Sequence, residues 1–270
     1  MEKEKTYKAG VLIIGSLFWD NTNGRRPWRE LFFGENFHQH AVKVPVPIRY
    51  GRYSTSRECP TMILSSSYHK EGKLGQGIFL PFQNQKQKVE DIICSAKALS
   101  EAEGNANNRF IKGGREKWCV ITYLSNPALA EAKQITNFSE KFQAQYDPAL
   151  ASIQDQFKCN CESQAVFNEI GSLVIDWPEN LNDFDLILAT QTKPTDCFSP
   201  ASMAASFFKK PEYFLKNRLN QIYTVDDDLI LSELKKLVVK DKKAFEKNAQ
   251  SNDCSDLEIS NFISEHLKVD

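Results

Sequence analysis

The hydrophobic pattern of this chain changes period along its length, and the order of those changes is what most limits the fold. Residues 9–18 form an apolar run that gives out at Gly15-Ser16. Small residues there permit a tight turn and close backbone approach, so the run reads as a buried first strand feeding a loop. β-like runs follow at 42–48, 61–66 and 75–82. Pro45 and Pro47 move the first of them to an edge or bulged position, because proline has no amide hydrogen to give a ladder. Then Val89, Ile92, Ile93, Ala96 and Leu99 fall on one helical face, up to a stop at Gly104. Strands resume with residues 109–112, a Gly113-Gly114 turn and residues 117–124.

Beyond Pro127 the composition shifts towards Ala, Gln, Glu and Lys, with helical patterns over 128–135 and 139–157. A boundary at 125–127 follows, dividing the chain into a strand-rich segment, 1–125, and a mainly helical extension, 126–270, packed on it. The extension keeps strand-like pieces at 172–176 and 184–190. Ser199 ahead of Pro200 reads as a helix start, and Pro211 as another, running through Tyr213, Phe214 and Leu219. Thr224 with Asp227, and Ser255 with Glu258, match the capping-box spacing. Residues 240–252 read as a solvated linker. The aromatic pairs Phe207-Phe208 and Tyr213-Phe214 read as core.

Charge narrows the partners. With 34 basic and 35 acidic side chains in 270 residues, spread along the chain, the net charge is −1. A phosphate backbone needs a basic face, so nucleic acid is not the expected partner. The run at residues 11–14 falls far short of the roughly 20 apolar residues that span a bilayer, and no membrane association is expected. Residues 1–5 carry mixed charge with no apolar signal core behind them, so the expected compartment is the cytoplasm. Seven scattered cysteines, an odd number, then read as reduced thiols.

Two features could carry chemistry. The strand-to-loop junction Gly15-Ser16-Leu17 would present backbone N–H groups beside a residue without a side chain, an arrangement suited to a developing oxyanion, although such a pair is often only a turn. Glu103, with Glu101 as the alternative in register, ends the helix before Gly104. At the negative end of a helix dipole the ionised carboxylate is disfavoured, which suits a group that takes up and returns a proton; the plainer reading is a solvated helix end. Arg49, Arg52 and Arg57 are candidates for binding a carboxylate, against a reading as surface charges. His38 and His40, on one face if extended, have no further ligands nearby, and Cys159-Asn160-Cys161 is not a Cys-x-x-Cys pair, so no metal is expected. Gly15-Ser16 also lacks the Gly-x-Ser-x-Gly pattern of a nucleophile elbow.

The order of an apolar strand ending in Gly-Ser-Leu, short strands including Gly75-Gln76-Gly77-Ile78-Phe79, a helix ending in Leu99-x-x-x-Glu103-Gly104, and two further strands resembles the γ-glutamylcyclotransferase-like superfamily, which includes plant avirulence-induced proteins. The resemblance covers residues 9–124. It implies an α+β fold, a small mixed β-barrel with a flanking helix, here followed by the helical extension. The family's Tyr-Gly-Ser motif maps onto Ile14, Gly15 and Ser16, and its Glu-Gly onto Glu103 and Gly104. Ile14 stands where the family has Tyr, and Ser100 where Asp is common.

The activity implied is intramolecular acyl transfer without a cofactor. The α-amine of a γ-glutamyl amine or peptide attacks its own γ-carbonyl, forms 5-oxoproline and expels an amine. Glu103 would be the general acid/base, and Gly15, Ser16 and Leu17 would hold the substrate's oxygens. A second reading keeps the fold and pocket as a non-catalytic binding module for a small molecule, with the C-terminal half engaging a protein partner.

Overall fold

In the computed structural model the chain is described at residues 5–22, 24–104, 110–112, 119–131, 135–146 and 153–269. Strand β1 (Ala9–Ile13) is buried at every position and leads through a one-turn 3-10 helix at Ser16–Phe18 into α1 (Arg25–Phe33). Strands β2 (Val42–Val46), β3 (Ile48–Ser54) and β4 (Cys59–Leu64) follow, then the short helix α2 (Ser66–Lys70) and β5 (Gly75–Pro81). Helix α3 (Val89–Ala102) precedes β6 (Ile111–Lys112) and β7 (Cys119–Ser125). Gly104, at φ +86°, lies just beyond α3 in the left-handed region that an achiral residue enters without strain.

Further on, α4 (Pro127–Glu131) and α5 (Thr136–Gln143) stand in the stretch expected to be helical, and a 3-10 turn covers Gln154–Phe157. Strand β8 (Leu186–Thr192) is followed by α6 (Pro200–Lys209), capped by Ser199, and α7 (Glu212–Leu219). The chain then runs through α8 (Asp227–Lys240), α9 (Lys242–Gln250) and α10 (Asp256–Phe262), the last with a reciprocal Ser255–Glu258 capping box.

The strands form a mixed α+β architecture, but not the closed barrel that the resemblance implies. Six make an open sheet in the order β2-β5-β1-β8-β7-β6, and β3 and β4 pair with each other as a separate ribbon. The sheet crosses the boundary expected near residue 125: β8 lies between β1, to which it is parallel, and β7, to which it is antiparallel. One contiguous apolar core accordingly takes residues from both halves. Proline-bearing β2 ends the sheet, as its missing amide hydrogen requires. Of residues 172–176, Ser172 and Leu173 make isolated bridges and none belongs to a strand. Residues 109 and 113–118, part of the expected hairpin, lie outside the described residues.

Two further expectations are corrected. Residues 240–252 are not a linker: α9 buries Phe245 and Ala249, an i, i+4 pair that docks an otherwise lysine-rich helix. The cysteines are not all reduced, because Cys161 and Cys197 form a disulfide with Cα atoms 6.0 Å apart. Among the described residues, no helix is long and apolar enough to cross a membrane.

Candidate functional site

A cavity of ≈ 720 Å³ opens where the C-terminal end of β1 meets the β3–β4 ribbon, the end of α3 and the end of β8. Gly15, Ser16, Leu17 and Glu103 all line it. Glu101 is exposed and is not part of the lining, whereas Glu103 is. Gly15 is fully extended, with φ −179°, so backbone strain does not explain the glycine there. Close approach does: a Cβ at this position would lie 2.6 Å from the Tyr213 hydroxyl. Phe18, Trp19 and Asp20 donate their N–H groups back to the Gly15 and Ser16 carbonyls. The Ser16 and Leu17 amides thus begin the turn and fall outside its own hydrogen bonds.

Arg25 ties the loop to the helix end. Its guanidinium donates to Ser16 Oγ at 3.1 Å, to Glu103 Oε2 at 3.2 Å, to Asp20 Oδ2 at 2.5 Å and to the Ala102 carbonyl at 3.2 Å. One turn along α1, Arg29 donates to the Leu17 and Asp20 carbonyls at 2.6 and 2.8 Å. Burial lowers the Arg29 pKa to about 10. Burial alone would push Asp20 up, but its hydrogen bonds from Thr22 and the charges of Arg25 and Arg57 hold it below the ordinary aspartate value. Arg25 and Arg29 were not among the sequence candidates. Their i, i+4 spacing beside Trp28 on an amphipathic helix was the available signal.

Of the three arginines that were candidates, Arg52 and Arg57 line the cavity and Arg49 does not. Burial lowers the Arg52 pKa. Arg57 pairs with Asp20 and lies over the Trp19 and Tyr213 rings. Arg49 is buried against Glu162 at 2.7 Å. His38 and His40 lie in a short 3-10 turn, not on a strand, with His38 against the Phe18 and Phe37 rings.

The C-terminal half closes the cavity with Lys210, Glu212 and Tyr213 from the α6–α7 region and Asn252 and Asp253 from the turn after α9. Tyr213, expected in the core, has a buried ring and a hydroxyl at the cavity wall. Thr190 and Thr192, alternate residues of β8, also line the wall. Among the described residues, their buried hydroxyls have no hydrogen-bond partner. Such groups cost free energy where they stay unpaired. The lining cations Arg25, Arg52, Arg57 and Lys210 are matched by Asp20, Glu103, Glu212 and Asp253, which suits a ligand carrying both signs of charge. Comparison of the chain with protein-family models, with curated proteins and with solved structures gives no match.

Proposed function

We propose that this cavity is the active site of a γ-glutamylcyclotransferase-like enzyme that converts a γ-glutamyl amine or peptide to 5-oxoproline and a free amine. One observation carries the reading: a single guanidinium, Arg25, bonds both Ser16 in the loop and Glu103 at the helix end, two groups far apart in sequence, on the wall of one cavity. An open sheet with its β3–β4 ribbon stands where that family would have a closed barrel, and the loop and helix end converge all the same.

In this mechanism Glu103 takes a proton from the substrate's α-ammonium, and the freed amine attacks the γ-carbonyl carbon. The carbonyl oxygen becomes an oxyanion facing the amides of residues 15–17. The bond from carbon to the leaving nitrogen then breaks as Glu103 returns its proton to that nitrogen, and the ring nitrogen gives up its second proton to the released amine, which departs as an ammonium. The mixed lining charge suits a zwitterion.

The non-catalytic module, with a protein partner on the C-terminal half, is favoured by the contact of Arg25 on Glu103, which occupies an oxygen the acid/base role needs, and by Ile14 in place of the family's Tyr. A panel of γ-glutamyl amines and dipeptides, assayed for 5-oxoproline release, separates the two. Release supports the enzyme; saturable binding of the panel without release supports the module.

A further inference from the structure

We propose that the Tyr213 hydroxyl, supplied by the C-terminal half, is a hydrogen-bond donor to the substrate oxygen held over the Gly15-Ser16-Leu17 loop. The inference rests on the cyclisation reading and adds a residue to it from outside the segment that carries the resemblance.

Three observations place the hydroxyl. Tyr213 lines the cavity, and its oxygen stands against Gly15 so closely that no Cβ fits between them. Its side chain is 4% exposed and packs against the Trp19 ring, 6.3 Å away, and the Arg57 guanidinium. The hydrogen bond at its oxygen runs inward. The Met62 amide donates to it at 3.1 Å, while Asn217 Oδ1 accepts from Trp19 Nε1 at 2.8 Å and Asn217 Nδ2 has no partner among the described residues. A phenol has one hydrogen to give and accepts through its lone pairs. Among the described residues nothing accepts that hydrogen, which leaves it for a group in the cavity.

The electrostatics suit the task. Burial pushes the Tyr213 pKa up to about 12 against the lowering effect of Arg57, with Cys59 adding to the rise; Arg52 and Tyr50 are the other titratable groups that sense it. The phenol therefore keeps its hydrogen through the neutral range. A fixed neutral donor strengthens its bond as charge develops on the oxygen, and so acts on the transition state more than on the bound substrate.

The test is 5-oxoproline release by the full chain and by Tyr213→Phe, which removes only the oxygen. The expected result is a fall in kcat of roughly 10²-fold, with KM within about threefold; an unchanged kcat overturns the inference while leaving the cyclisation reading intact. Because the substitution also strips the Met62 amide of its acceptor, a second chain carries 2,3,5-trifluorotyrosine at position 213, which keeps shape and oxygen but has a more acidic phenol. Its activity should fall at lower pH than that of the unmodified chain, a shift that a purely structural tyrosine would not produce, and coincident pH profiles overturn the inference. A chain inert on the whole panel overturns the cyclisation reading. Calorimetric titration with 5-oxoproline then reads the hydroxyl alone: affinity at least tenfold weaker in Tyr213→Phe supports the donor, and equal affinity, or no binding to either chain, overturns it.

Discussion

Two glutamates in this molecule are each paired with an arginine, and their surroundings differ in a way that separates structure from chemistry. Glu162 is 2% exposed. Its oxygens accept from Arg49 Nε, from the hydroxyls of Ser65, Ser66 and Ser67, and from the backbone amides of Ser66 and Ser67. Burial pushes its pKa up, but the bonds from Ser65, Arg49 and Ser66 outweigh burial and hold it below the ordinary value. Every lone pair is engaged, so this carboxylate locks the start of α2 to the 159–162 turn. Glu103 meets Arg25 through one oxygen and faces a cavity that a ligand can enter. The same ion pair is a clasp in one place and a candidate acid/base centre in the other, and what distinguishes them is the open space beside the carboxylate.

That distinction is broken most sharply by substituting each carboxylate in turn. Glu103→Gln keeps the shape and removes the exchangeable proton. On the proposed reaction it should lower kcat by about 10²–10⁴-fold while the urea midpoint changes little. Glu162→Ala should do the reverse. It leaves the Arg49 guanidinium buried without its counter-ion and should cost about 3–5 kcal/mol in urea unfolding. If Glu162→Ala loses less than about 1 kcal/mol, or Glu103→Gln unfolds the chain, the assignment of roles fails.

The disulfide tests how much of the clasp depends on its neighbours. Cys161 immediately precedes Glu162 and is bonded to Cys197, 36 residues away, in a segment whose residues 195 and 196 donate to the Gly51 carbonyl of β3. Cys197→Ser should lower stability by about 2–4 kcal/mol, chiefly because the unfolded chain regains freedom. Reductant should bring the parent chain to the same urea midpoint and leave the variant unmoved. A parent chain insensitive to reductant would place the strength of this region in the Glu162 network alone.

What could be read in the sequence was local. The end of β1 at Gly15, the stop at Gly104, the Ser199 and Ser255 caps and the edge position of β2 all follow from the backbone needs of single residues. What could not be read was pairing at a distance. A short strand such as β8, apolar only over residues 186–189, carries no mark that its partners are β1, far upstream, and β7. Arg25 carries no mark of its partners in the sequence, and its role appears only once the end of α3 is brought beside Ser16. Tyr213 was placed in the core correctly as a ring and missed as a hydroxyl, because hydropathy does not say where the polar tip of an amphipathic side chain points.

A third carboxylate extends the comparison to one that burial dominates. Asp227 opens α8 at 1% exposure, accepts from the Thr224 amide and hydroxyl, and lies 3.5 Å from Arg218. Burial raises its pKa to about 6 from the ordinary 3.8, against the lowering effect of the Thr224 bonds and the Arg218 charge. The folded chain therefore holds this proton over a pH range in which the unfolded chain has released it. Stability from this group is greatest below about pH 4 and falls as pH rises towards 6, with a total of about 1–3 kcal/mol. Glu162, with its lowered pKa, acts in the opposite sense and loses stability only as the pH drops into the acid range. Asp227→Asn should therefore flatten the decline in urea midpoint between pH 4 and 6 while leaving the acid limb in place. A variant that keeps the full decline would move its origin to another buried group.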